Sequence, residues 1–188
     1  MRHYLSLGVW AIATLLLLLS ALATAAAQSG VQDPKEGSSS NALAEAALKS
    51  KTIEEKEKAA VDLATSTAPD ATEALLQVLE KSKDAEVLVG VIDGLGDRAG
   101  FKKDVKARDC MPTLVKILED EKGGLMGDDD AKCKRVRARA CLAIVRITGA
   151  DYGWDIEKEQ TEEQRLKLKE TLETAKFYIA HPPPGGGK

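Results

Sequence analysis

Two seven-residue segments, 39 positions apart, constrain the fold more than any other feature of this chain. Ala74–Glu80, ALLQVLE, overlays Thr113–Glu119, TLVKILE, position for position. Each has the apolar spacing of one helix face. The helices that follow overlay as well: Val87, Val91, Gly94 and Leu95 correspond to Val136, Ala140, Ala143 and Ile144 at an offset of 49. The ten-residue difference is accommodated by KGGLMGDDDAK, which has the composition of an inserted exposed loop. A still earlier helix, at Ala60, Leu63 and Ala64, precedes Val91, Gly94 and Leu95 by 31 residues. In-phase repetition of a helical unit predicts an all-α chain of stacked helix pairs, because such a unit buries its apolar face only against its neighbours.

Local signals mark where these helices start and stop. Thr52-x-x-Glu55 is a capping box and opens a helix to about Thr65. Pro69-Asp70 makes a turn, and Asp70 stands where a carboxylate accepts from first-turn amides. Gly149 follows the last apolar residue of the later helix, the usual place for a left-handed stop. Thr161-x-x-Gln164 opens a final helix to about Ala180 with a stripe of Leu168, Leu172, Ala175 and Ile179, as suits a cap on the end of a stack. The expected organisation is a signal peptide over residues 1–27, a flexible linker over 28–40, the helical domain over 41–180 and a disordered tail over 181–188.

The leader assignment rests on Arg2 and His3, an apolar run from about Leu7 to Ala23, and Ala25-Ala26-Ala27 before Gln28. Export to the periplasm or exterior, without stable membrane insertion after cleavage, is the expected localisation. The run from Leu5 to Ala27 also approaches a bilayer span, so an uncleaved anchor is the alternative. Removing residues 1–27 takes away Arg2 and no acid, leaving 26 Lys and Arg against 30 Asp and Glu, a net charge of −4. An acidic chain argues against nucleic acid as a partner. One histidine, His181, remains, so a His-centred catalytic dyad or multi-His metal site lacks its residues. No cofactor, metal or enzymatic activity is expected.

The helix after the inserted loop carries the candidate recognition residues. Lys132, Arg135, Arg139 and Arg146 share one arc beside the apolar face of Val136, Ala140, Ala143, Ile144 and Ile147. In the preceding unit the equivalent positions are Lys83, Glu86, Gly90 and Asp97, so the basic ridge does not continue. A mixed-charge solvated face and a protein-binding patch both fit it. Arg137 faces elsewhere, toward an acid of the adjacent unit. Tyr152 and Trp154 fall just past the helix end, where they either pack against the last helix beside Phe177 and Tyr178 or form a binding platform. Asp128, Asp129 and Asp130 lack the alternate spacing of a calcium loop and suit the start of a helix.

Cys133 and Cys141 sit eight residues apart on one helix, about 12 Å, beyond the roughly 7 Å reach of a disulfide. Any bridge therefore uses Cys110, and an antiparallel hairpin favours Cys110–Cys141. Three buried reduced thiols are the other option.

The pattern L-L-x-x-L, a short turn with Asp, then V-x-x-x-A-x-x-A-[LI]-x-x-[LI] resembles the HEAT and armadillo group of α-solenoid repeats over roughly Thr52–Gly149, with Pro112, Val136, Arg137 and Ala140 fitting best. ITGADYGWD is similar to the closing segment of small exported bacterial HEAT-repeat proteins. The resemblance implies a short right-handed α-solenoid of about two and a half HEAT-like helix pairs with a C-terminal capping helix. It implies no known activity; the paired His-Glu motifs of HEAT-fold di-iron hydroxylases are missing. The expected function is a non-catalytic scaffold that binds another envelope protein through its concave face. The alternative is a His-independent enzyme or small-ligand binder at the junction of the last repeat and the cap helix.

Overall fold

A computed structural model describes residues 39–121 and 129–183. Residues 1–38, 122–128 and 184–188 lie outside the described residues, and with them the expected leader, nearly all of the expected linker, most of the expected inserted loop and most of the expected tail. The described residues form seven α-helices and one 3-10 turn, with no strand among them. In order, these are α1 (Ser40–Lys49), α2 (Ile53–Thr65), α3 (Ala71–Lys81), α4 (Ala85–Gly100), the 3-10 turn Lys106–Cys110, α5 (Met111–Glu119), α6 (Asp130–Thr148) and α7 (Glu162–Ala180).

Most ends follow the local chemistry. The hydroxyls of Thr52 and Thr161 accept from the backbone N–H of Glu55 and Gln164 at 3.3 and 3.4 Å. Asp129 caps α6 by accepting from Lys132 N at 3.2 Å, and Gly149 ends that helix at φ 76°. Asp130 opens α6 and pairs with Lys134 at 2.8 Å, so these two acids serve the helix start.

Two ends differ from expectation. The linker does not extend through Ser40, which lies inside α1, is buried, and donates its hydroxyl to Asp70 Oδ1 at 2.6 Å. That bond explains the second difference: Asp70 makes no side-chain cap to α3, because its carboxylate is engaged across the α1–α3 contact. The 3-10 turn before α5 has no counterpart in the sequence reading.

Packing follows an alternating order. Helices α2, α4 and α6 contact one another in succession, and so do α1, α3, the 3-10 turn with α5, and α7. Within this order α3 packs on α4 and α5 on α6. Helix α1, which the repeat overlay leaves out, packs on α2 in the same way. The core is aliphatic, with Leu63, Leu75, Val78, Leu95, Leu114, Leu118, Val136 and Ile144 fully enclosed.

The row α2, α4, α6 is held close by missing side chains. A Cβ on Gly94 would lie 2.6 Å from Ala64 Cβ, and one on Gly100 would lie 2.6 Å from the Arg146 carbonyl oxygen. One helix therefore presents small positions to both neighbours, Gly94 toward α2 and Gly100 toward α6.

Candidate functional site

Helices α4 and α6 lie against each other, and their contact determines what the basic ridge does. Arg135 meets Glu86 at 3.5 Å, and Arg146 meets Asp97 at 3.1 Å. Both pairs are 49 residues apart, the offset at which the sequence overlays itself. Asp93 adds contacts to Arg139 at 3.5 Å and to Arg146 at 3.3 Å. Among the described residues Lys132 pairs with its own helix start, Asp129, at 3.7 Å. Three of the four ridge cations are thus paired with the acidic ridge of α4, and the mixed-charge reading describes the face.

Beside this seam lies an open groove of about 430 Å³. Its floor is Ala64, Gly90 and Gly94, and its apolar walls are Val61 and Val89. Glu57, Glu86, Asp93 and Asp97 supply carboxylates along it, and Arg135 and Arg139 close one edge. Val61 on α2 and Leu142 on α6 are exposed on this row of helices. The groove can therefore take an apolar side chain and offer charges of both signs around it.

The junction past α6 is organised differently from expectation. Trp154 is buried, with its indole N–H donating to Gln160 Oε1 at 3.1 Å. Tyr152 remains 37% exposed, and its hydroxyl lies 2.8 Å from Thr174 Oγ1 on α7. Phe177 does not join them: it is 66% exposed and stacks on His181 at 4.5 Å. Among the described residues, Arg137 pairs with no acid. Its Nε and an Nη donate to the Leu118 carbonyl at 3.1 and 2.9 Å, and its guanidinium lies 5.7 Å from the Trp154 ring centre. A cation here satisfies the open carbonyl end of α5. A cleft of about 360 Å³ lies between Cys141, Leu142, Trp154, Asp155 and Lys158. Its polar groups are internally engaged, since Asp155 accepts from Glu157 N at 3.0 Å and meets Lys158 at 3.7 Å.

Cys110 and Cys141 are free, buried thiols, so the Cys110–Cys141 link is not formed; Cys133 is buried as well. Desolvation pushes the Cys110 thiol up to about 12 and the Cys141 thiol up to about 11, far from the thiolate range that nucleophilic chemistry needs. No group of three His, Cys, Asp or Glu side chains suited to a metal ion occurs among the described residues.

One polar cluster escaped the sequence reading. Arg98 is buried, donates to Thr72 Oγ1 at 3.3 Å and also bonds the Ser66 carbonyl. Thr72 in turn donates to Asp104 Oδ2 at 2.6 Å. The signal was present: Arg98 falls on the same helical arc as Val87, Val91 and Leu95, where a solvated arginine does not belong. The cluster ties the chain after α4 back onto α3.

Compared with protein-family models, with curated proteins and with solved structures, the chain matches none.

Proposed function

We propose that this chain is a non-catalytic scaffold exported to the cell envelope, built as a short HEAT-like α-solenoid. Its open row of second helices, α2, α4 and α6, receives another protein. The groove over Gly90 and Gly94 carries this reading, because it combines an apolar floor with charges of both signs on three successive helices. The solenoid part is supported by the alternating packing order and by the Glu86–Arg135 and Asp97–Arg146 pairs at the repeat offset. On this reading the packing of α1 on α2 is taken as one more pair beside the two and a half of the repeat overlay. The opposed reading, a small-ligand or enzymatic site at the cap junction, has less support, because the polar groups around Trp154 already bond one another.

Photocrosslinking amino acids at Val61 and Val89, both lining the groove, compared with one at Gln77 on α3, test the docking face. A defined protein adduct from the first two positions and none from Gln77 is expected. Adducts only from Gln77 would place recognition on the other row of helices. Charge reversal of Arg135 and Arg139 is a poor control, since it also opposes Glu86 and Asp93 with like charge. A Cβ at Gly90 would meet its neighbours no closer than 3.7 Å, so Gly90→Leu, which adds bulk at the groove floor, is the better blocking variant. The mass of the exported chain tests the leader, with Gln28 expected as the first residue.

A further inference from the structure

The turn from α4 to the 3-10 segment, FKKDVK over residues 101–106, is built to display what soluble surfaces normally hide. Phe101 is 72% exposed, more than any other large apolar side chain among the described residues, and Val105 is 49% exposed four positions later. Lys102 and Lys103 between them are exposed, and neither has an ion pair among the described residues. Lys106 follows, joined to Glu73.

This display is fixed by the backbone. Lys102 N donates to the Asp97 carbonyl at 3.1 Å and Asp104 N to the Arg98 carbonyl at 2.9 Å, which folds the chain back over the end of α4. Lys103 takes φ 58°, the only described non-glycine residue at positive φ. L-residues adopt that region reluctantly, and such outliers persist only where the surroundings impose them. Asp104 supplies the constraint: its carboxylate accepts from the backbone N–H of Lys106 at 3.0 Å and from the Thr72 hydroxyl at 2.6 Å. Thr72 is held by the buried Arg98. A buried polar cluster thus holds a short turn in a strained shape whose outer side is Phe, Lys, Lys and Val.

We propose that residues 101–106 form a peripheral docking tip for an anionic lipid surface. Phe101 and Val105 enter the interface, while Lys102 and Lys103 place their ammonium groups at the lipid phosphates. The chemistry matches that of interfacial anchors, in which an aromatic ring sits at headgroup level and long lysine stems reach back to charge. Two exposed lysines with no ion pair among the described residues, set between two exposed apolar side chains, complement lipid phosphates over an acyl layer, and none of the three hollows around α2, α6 and Trp154 includes Phe101 or Val105. The tip adjoins the protein-binding groove at Asp97, but neither Phe101, Val105 nor the two lysines line that groove.

The full chain carries an apolar N-terminal run, so the readout must be local to the tip. Phe101→Trp in the full chain is mixed with vesicles of phosphatidylcholine and phosphatidylglycerol containing a brominated lipid, with the wild-type emission subtracted. A blue-shifted, bromine-quenched component is expected, weakening as salt is raised. Lys102→Glu with Lys103→Glu in that background should lower the affinity by more than tenfold, from about fivefold per lysine removed near an anionic surface. Phosphatidylcholine alone should give a much smaller response. Unchanged emission on adding anionic vesicles overturns the proposal, as does an equal response from the charge-reversed tip. A response to polyglutamate without lipid, equal to that with vesicles, also overturns it and assigns the tip to an acidic protein. An unaltered melting temperature checks that each variant folds, which is expected because all three side chains face water.

Discussion

At the scale of single residues, the buried thiols give a pH dependence with a defined sign. Burial raises Cys110 from 9.0 to about 12 and Cys141 from 9.0 to about 11, so both stay protonated in the folded chain where the unfolded chain has lost those protons. Stability is therefore unaffected by these groups below pH 9.0 and falls as pH rises above it, up to the folded values. Each thiol contributes a slope of about 1.4 kcal/mol per pH unit in that window. Urea unfolding across the alkaline range should show Cys110→Ala with the shallower decline, and equal slopes would mean that Cys110 is not enclosed in solution. Arg137 gives a second test. Its two donors on the Leu118 carbonyl and its position against Trp154 need a planar fork, which lysine lacks. Arg137→Lys is expected to cost about 1–2 kcal/mol in denaturant unfolding; a neutral result would leave the α5 carbonyl end satisfied by water.

At the scale of elements, α4 separates glycines required by packing from one that is not. Gly94 stands where any Cβ would overlap Ala64, whereas a Cβ on Gly90 would meet Ala60 and Val61 at an ordinary 3.7 Å. Gly94→Val should lose about 1–3 kcal/mol by forcing α2 and α4 apart. Gly90→Ala should gain up to about 1 kcal/mol, since a helix-interior glycine is costly and nothing obstructs the methyl. Equilibrium unfolding of the two variants decides, and a loss at both positions would show that α2 and α4 are closer than described. Much of this was legible in the sequence. The 49-residue offset placed Glu86 and Asp97 opposite Arg135 and Arg146, because parallel neighbours in a regular stack share register. What the sequence hid were contacts without periodicity. Asp70 reads as a helix cap, yet its carboxylate goes to Ser40, thirty residues earlier. Arg137 reads as an ion-pair partner, yet it serves a carbonyl, and nothing in spacing distinguishes one acceptor from another.

At the scale of the molecule, the charged face and the ends of the stack depend on the same geometry. Each second helix covers its predecessor and offers its own face to the next, so α6 has no following helix of its kind, and α7 covers α5 and α6 from the other row. Helix α7 buries Gln164, Leu168, Thr171 and Ala175, and it ties back through Lys176 to Glu119 at 2.6 Å and through Thr174 to Tyr152. Its outer face keeps Leu166 and Phe177 in water. If the chain behaves as a nearest-neighbour array, weakening the cap should be felt locally. Leu168→Ala is expected to cost about 2–3 kcal/mol. Hydrogen exchange should then quicken in α5, α6 and α7, while α1, α2 and α3 keep their protection. Loss of protection spread evenly from α1 to α7 would instead mean that the helices unfold as one cooperative body. The face of α2, α4 and α6 would then have to be treated as a single rigid surface rather than as separable units.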